Sequence, residues 1–194
     1  SFGIGLNEGW AQTAISEFAR NKIELALACG FLDYGRDPLA DDKDPTYAVI
    51  GDSHECTKEL RELIETLEST YPGIKIVHVG DYLDKGGDTV GMIEYMYERL
   101  GKGDIFVLGN HESYVVRKLR GELGKRGDSG MDPELEKEYF SSLSVLSTEG
   151  KSDVEKSQIQ QVLKKLFILH DSAFPFVVLC DNRRDGSLPI IVTH

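Results

Sequence analysis

Ile76-Val-His-Val-Gly-Asp-Tyr-Leu-Asp84 decides how this chain folds. A short apolar run ends on glycine and then delivers two aspartates. The same grammar recurs upstream in Ala48-Val-Ile-Gly-Asp-Ser-His54 and downstream in Ile105-Phe-Val-Leu-Gly-Asn-His-Glu112. Continuously apolar runs of this length suit parallel strands covered on both faces. Between them lie helical patterns, Thr57–Ser69 with Leu60, Leu63, Ile64 and Leu67 on one face, and Thr89–Leu100. Pro72-Gly73 and Gly101-Lys-Gly103 end those helices before strands over Ile74–Val79 and Ile105–Leu108. Strands alternating with helices through short links predict an α/β fold. In such sheets, polar groups at the carboxyl ends of strands build the site.

Outward from this centre the texture changes. Asn7 to Cys29 reads as a helix, with Trp10, Ala14, Phe18, Leu25 and Cys29 at roughly helical spacing, and Arg36 to Pro45 as a polar linker. Residues 1–45 are therefore expected as an N-terminal helical segment with its linker, and 46–194 as the main body. A helix is predicted from Glu112 to about Leu123, and a glycine-rich turn over Gly124–Asp132. Pro133–Leu146 and Asp153–Leu169 then look helical, as a helical hairpin inserted over about residues 124–170. Phe176–Cys180 and Pro189–Val192 read as strands joined by the turn Asp181-Asn-Arg-Arg-Asp-Gly186.

Composition narrows the function classes. With 40% hydrophobic and 28% charged residues, the chain can bury a core. No apolar run approaches the ~20 residues that span a bilayer. A net charge of −11 repels phosphate backbones, so nucleic acid is not an expected partner. Three cysteines, Cys29, Cys56 and Cys180, are too few and too scattered for a disulfide framework. They imply a reducing compartment, cytoplasmic or a host cytosol reached by secretion, and Cys56 is expected to be buried packing. Gly101-Lys-Gly103 lacks the remainder of a phosphate loop, and no Gly-x-Ser-x-Gly elbow marks a serine hydrolase.

A glycine followed by Asp or Asn at a strand end is ordinary turn chemistry when it occurs once. Three in order, each with a second polar group, point to a metal site. Asp52 and His54, at i and i+2, lie on one side of an extended segment and can share a cation. The two oxygens of Asp81 can bridge two cations, Asn110 offers a carbonyl oxygen, and the terminal His194 offers an imidazole nitrogen. This donor set fits two divalent metal ions such as Mn, Fe or Zn, which activate a bridging water. His111 can protonate a leaving group, with Asp84 holding its imidazole in register. His78, inside a strand, and His170, before a loop, are not expected to be ligands.

Gly51-Asp-Ser-His-Glu55, Gly80-Asp-Tyr-Leu-Asp-Lys-Gly86 and Gly109-Asn-His-Glu112 resemble the three opening signatures of the calcineurin-like metallophosphoesterases. They are nearest to the phosphoprotein phosphatase branch and its bacterial relatives. The resemblance spans roughly residues 46 to 120, with His194 as an outlying fourth match. It implies a β-sandwich of two central sheets flanked by helices. It also implies one metal on Asp52, His54 and Asp81, another on Asp81, Asn110 and His194, and His111 with Asp84 as the proton-donating pair. Three departures stand out. Glu55 replaces the usual Gly, which is expected to add negative charge beside the site and to reshape the substrate mouth. Lys85 replaces the usual Arg as the substrate-binding cation, keeping the charge without the bidentate fork. A further metal-binding His and a phosphate-binding Arg are expected beyond His194, so the domain reads as incomplete. The helical insertion resembles bacterial secreted effector phosphatases of the Wip type, with the hairpin as a docking surface for a partner.

The expected function is metal-dependent phosphomonoester hydrolysis, with a hydroxide bridging two metals and a phosphoprotein or phosphopeptide (Ser/Thr or Tyr) as substrate. The first alternative is a nucleotide or dinucleoside polyphosphate phosphatase of the same superfamily, including the phosphatase half of a nucleic-acid repair enzyme. The second is a non-catalytic binding module with a degenerate site.

Overall fold

The computed structural model describes residues 47–123, 133–179 and 190–194. The expected N-terminal helix and linker, the Gly124–Asp132 turn, the Asp181–Gly186 turn, Cys29 and Cys180 lie outside the described residues. The chain divides into two compact units: residues 42–177 with 192–194, and residues 1–41 with 178–191. Strands β4 (Val177–Leu179) and β5 (Ile190–Val192), most of whose residues belong to the smaller unit, pair as a two-stranded sheet.

In the larger unit, β1 (Tyr47–Ile50), β2 (Lys75–His78) and β3 (Ile105–Phe106) form a parallel sheet in chain order. Val49 pairs with Val77, and Val77 with Ile105, so the three strands end level with one another. Helix α1 (Thr57–Thr70) links the first pair and α2 (Thr89–Gly101) the second. Helix α3 (Asn110–Leu119) starts directly after the third glycine. Leu60 and Ile64 of α1 are buried, whereas Leu63 is 46% exposed. At 100° per residue Leu63 falls on the edge of the stripe that Leu60, Ile64 and Leu67 define. Asp88 caps α2 by accepting from the Gly91 N–H at 3.1 Å.

The sequence predicted one helix over Pro133–Leu146. The structure has two, α4 (Pro133–Tyr139) and α5 (Ser142–Leu146). Phe140 breaks the run by turning inward, where its ring stacks on Tyr114 with centroids 4.0 Å apart. Helix α6 (Asp153–Ser172) opens with a capping box of Ser152 and Glu155. Its Val162, Leu166 and Leu169 share one core with Leu60, Ile64, Met92, Ile93, Met96, Val115 and Val116. Burial of a side chain such as Leu166 stabilises by about 1.5–3 kcal/mol. Thus α6 is built into the same core as the sheet's helices.

One polar cluster is also buried. His78 Nε2 meets Asp104 Oδ2 at 2.9 Å, Arg99 donates to both Asp104 oxygens at 2.7 and 2.8 Å, and Arg99 also donates to Glu68 at 2.7 Å. Burial pushes Asp104 upward, but the bonds from His78 and Arg99 outweigh it and hold the carboxyl below its ordinary value.

Candidate metal centre

The three glycine turns meet at the carboxyl ends of β1, β2 and β3. The His54 N–H donates to the Asp81 carbonyl at 3.0 Å and the Glu55 N–H to the Tyr82 carbonyl at 2.9 Å, which ties the first loop to the second. The second and third loops touch at glycines. A Cβ on Gly80 would stand 2.4 Å from the Gly109 Cα, and one on Gly109 would stand 2.2 Å from the Asp81 nitrogen. Gly80 also has φ +83°, so no other residue suits it. Among the described residues, the non-glycines with positive φ are His54, Glu55, Asp81, Asp84 and Lys85, all in the first two loops. Strain concentrated in this way is what a candidate functional site shows.

Asp81 lies at the centre and is 5% exposed. Its Oδ1 accepts from the His111 N–H at 3.0 Å, at the positive end of α3. Its Oδ2 lies 3.2 Å from His194 Nε2 and 3.8 Å from His111 Nε2. The same aspartate therefore belongs to two groups of ligand atoms, each within 4.8 Å of one another: His54, Asp81 and His111, and Asp52, Asp81 and His194. The resemblance implies instead one set of Asp52, His54 and Asp81 and another of Asp81, Asn110 and His194. Asp52 in fact approaches both histidines equally, 3.9 Å from His54 Nε2 and 3.9 Å from His194 Nε2. Asn110 opens α3, is exposed, and sits between the Gly109 that touches Asp81 and the His111 whose N–H binds it.

The two inner histidines differ in their partners. His54 Nδ1 meets the Leu83 carbonyl at 2.8 Å. A carbonyl only accepts, so Nδ1 carries the proton and Nε2 presents a lone pair. The Lys85 ammonium donates to that nitrogen at 3.1 Å. His111 Nδ1 instead meets the Asp84 carboxylate at 2.7 Å. This bond, aided by the charges of Asp81 and Asp84, raises the His111 pKa against the opposing effect of burial. The donor chemistry fits divalent cations: carboxylate oxygens and imidazole lone pairs converge with too few donors of their own to neutralise them.

Three contacts were not foreseen from the sequence. Buried Glu112 accepts from the Asp81 and Leu83 amides, both at 2.9 Å. Burial, with the charge of Asp81 adding to it and the amide bonds opposing it, pushes this carboxyl up to about 7. The Ser142 N–H donates to Asp84 Oδ1 at 2.8 Å, so α5 braces the acid partner of His111. Glu55, expected at the substrate mouth, is 2% exposed and points into the second loop. Glu112 closes the third signature in the sequence, but nothing there assigns it a role beyond that of an acidic residue in a first helical turn. Ser142 carried no signal, because its backbone makes the contact. Cys56, expected as packing, is exposed, its thiol 3.8 Å from the His54 carbonyl. His170 bonds to its neighbour Asp171 at 3.0 Å.

Comparison with known proteins agrees with this geometry. The family model described as calcineurin-like phosphoesterase matches residues 45–189. The symmetrical bis(5'-nucleosyl)-tetraphosphatase of Nitrosomonas europaea is 29% identical over 91 residues, 47% of this chain and 33% of that protein. The asymmetrical bis(5'-nucleosyl)-tetraphosphatase PrpE of Oceanobacillus iheyensis is 34% identical over 82 residues, 38% of this chain and 33% of that protein. The Nitrosospira multiformis symmetrical enzyme is 33% identical over 73 residues, 38% of this chain and 26% of that protein. The matched stretch thus spans a third or less of the length of these relatives.

Proposed function

The chain belongs to the calcineurin-like phosphoesterases, and from that premise we propose that its strand-end cluster hydrolyses phosphate linkages in a dinucleoside polyphosphate. The carrying observation is that Asp81 Oδ2 faces both groups of ligand atoms. The names of the relatives support a nucleotide substrate over the phosphoprotein expected from the sequence. A compact tetraphosphate also suits a net charge of −11 better than a long polyanion does.

In this reading Asp52, His54, Asp81, Asn110 and His194 hold two divalent cations. When bound, such cations supply Lewis acidity at the phosphoryl group and lower the pKa of water. The chain does the rest. Leu83 fixes the His54 tautomer so that Nε2 carries the lone pair that would hold a cation, a nitrogen that Lys85 otherwise bonds. Asp84 keeps His111 oriented and favours its protonated form, which places a proton on Nε2 for the leaving oxygen. Lys85, whose ammonium lies 3.1 Å from His54 Nε2, contributes a positive charge for a substrate phosphate. His111 takes the acid role and His54 the ligand role because one is paired with a carboxylate and the other with a carbonyl.

The test is a substrate panel with added Mn, Mg or Zn. It compares diadenosine tetraphosphate with phosphotyrosyl and phosphoseryl peptides and with an aryl phosphate. Preferential cleavage of the dinucleotide is expected, and Asp81→Asn abolishes it. Hydrolysis confined to the peptides returns the function to protein dephosphorylation. No hydrolysis, together with no calorimetric Mn uptake, leaves a binding module.

A further inference from the structure

The segment Asp84–Thr89 carries two groups that the proposed reaction uses, Asp84 and Lys85. Both have left-handed backbone, with φ 67° and 71°. A strained loop keeps its shape only where its surroundings over-determine it. Glu55 supplies that constraint. Its Oε1 accepts from the Asp84 N–H at 2.9 Å and from the Thr89 hydroxyl at 2.8 Å, and its Oε2 accepts from the Gly87 N–H at 2.7 Å. These donors bracket Lys85 on both sides. The loop also presses on the peptide of Glu55 itself: a Cβ on Gly86 would stand 2.1 Å from the His54 carbonyl oxygen.

A carboxylate is an expensive choice here. It is 2% exposed, and a buried charge is costly unless donors satisfy it. Its own φ of 61° would suit glycine, the residue usual in the signature it resembles. Hydrophobic packing gives no reason for it; the three hydrogen bonds do. We infer that Glu55 is a positioning residue. By gripping the amides of Asp84 and Gly87 and the hydroxyl of Thr89, it sets the direction from which the Lys85 ammonium meets a substrate phosphate. Glu55 touches no substrate, and this role rests on the reading of the site as a phosphate-hydrolysing centre.

The experiment uses the 194-residue chain with Glu55→Gly, Glu55→Gln, Lys85→Ala and the double variant E55G/K85A. Glycine accepts the left-handed backbone, so E55G removes the grip without adding strain. Amide hydrogen exchange by NMR reads the loop without any turnover. In E55G the Asp84 and Gly87 amides exchange roughly tenfold faster or more, while the Asp81 and Leu83 amides, held by Glu112, keep wild-type protection. In E55Q an NH2 group faces the Gly87 N–H in place of Oε2, so Gly87 alone accelerates. Steady-state kinetics on diadenosine tetraphosphate read the consequence. E55G raises KM on the order of tenfold with a smaller change in kcat, and the double variant has the KM of K85A alone.

Unchanged exchange at Asp84 and Gly87, or KM effects that simply add, overturn the inference. A wild type that hydrolyses nothing overturns the proposed function instead, and the exchange pattern alone then decides whether Glu55 holds the loop.

Discussion

His78 and His111 are both buried, both within 3 Å of a carboxylate, and both near the end of a strand, yet their surroundings do opposite things. Around His78 the charges close on themselves. Asp104 is capped by His78 and by Arg99 Nε and Nη2, and Nη2 also donates to Glu68. Around His111 they do not. Asp81, Asp84 and the half-exposed Asp52 crowd together, while the donors that reach them are backbone amides and imidazoles, and the nearby Lys85 ammonium bonds to His54 rather than to a carboxylate. A buried carboxylate that already has its cation is structural; one that lacks it is a demand for a ligand. The same two residue types thus build a brace in one place and a candidate metal centre in the other.

The largest test of this contrast removes one histidine partner of the open cluster. His111→Gln lowers kcat by about 10²–10⁴-fold, the usual worth of a positioned general acid, and leaves calorimetric Mn uptake close to wild type. Loss of metal uptake would move His111 into the ligand shell and blur its difference from His54. Arg99→Met attacks the closed cluster. It strands buried Asp104 and costs about 3–5 kcal/mol in urea unfolding, with hydrolysis per folded molecule unchanged. A loss below about 1 kcal/mol would mean that the brace is not the closed unit described.

A pH series sharpens the same point with a smaller effect. The folded pKa of Asp104 lies below its ordinary 3.8, so the stability it contributes is fully present above that value and fades as pH falls through the folded pKa. Asp104→Asn therefore shows a flatter loss of stability on acidification below about pH 4 than wild type. An identical slope in both proteins would remove the assigned role of the ion network. The smallest effect is expected at Ser142. Its hydroxyl is, among the described residues, a buried polar group with no hydrogen-bond partner, while its N–H serves Asp84. Ser142→Ala should stabilise by up to about 1 kcal/mol in urea unfolding. Destabilisation would show that the hydroxyl has a partner.

Much of this architecture was legible in the chain itself. Apolar runs ending on glycine located β1, β2 and β3 within a residue or two; the buried β2 explains its run by coverage on both faces, whereas in β1 the apolar run includes Val49, which is 49% exposed. The same runs located Asp52, Asp81 and Asn110, since parallel strands bring their carboxyl ends to one edge. Local signals failed where contacts were remote. The split between α4 and α5 depended on Phe140 finding Tyr114, which lies 26 positions earlier in the chain. Glu55 looked like a mouth residue because its three donors lie about thirty positions away in the chain.

From the amino-acid order alone came the strand–glycine–ligand grammar, the parallel sheet and the residue types able to hold cations, because these follow from periodicity and from which side chains carry lone pairs. Only the tertiary structure decided what each polar group does: that His54 faces a carbonyl and His111 a carboxylate, that Glu55 and Glu112 hold loops, and that His78 is already satisfied. Tautomer, charge state and free lone pairs depend on which partner stands within about 3 Å, and that is settled by folding distant segments together.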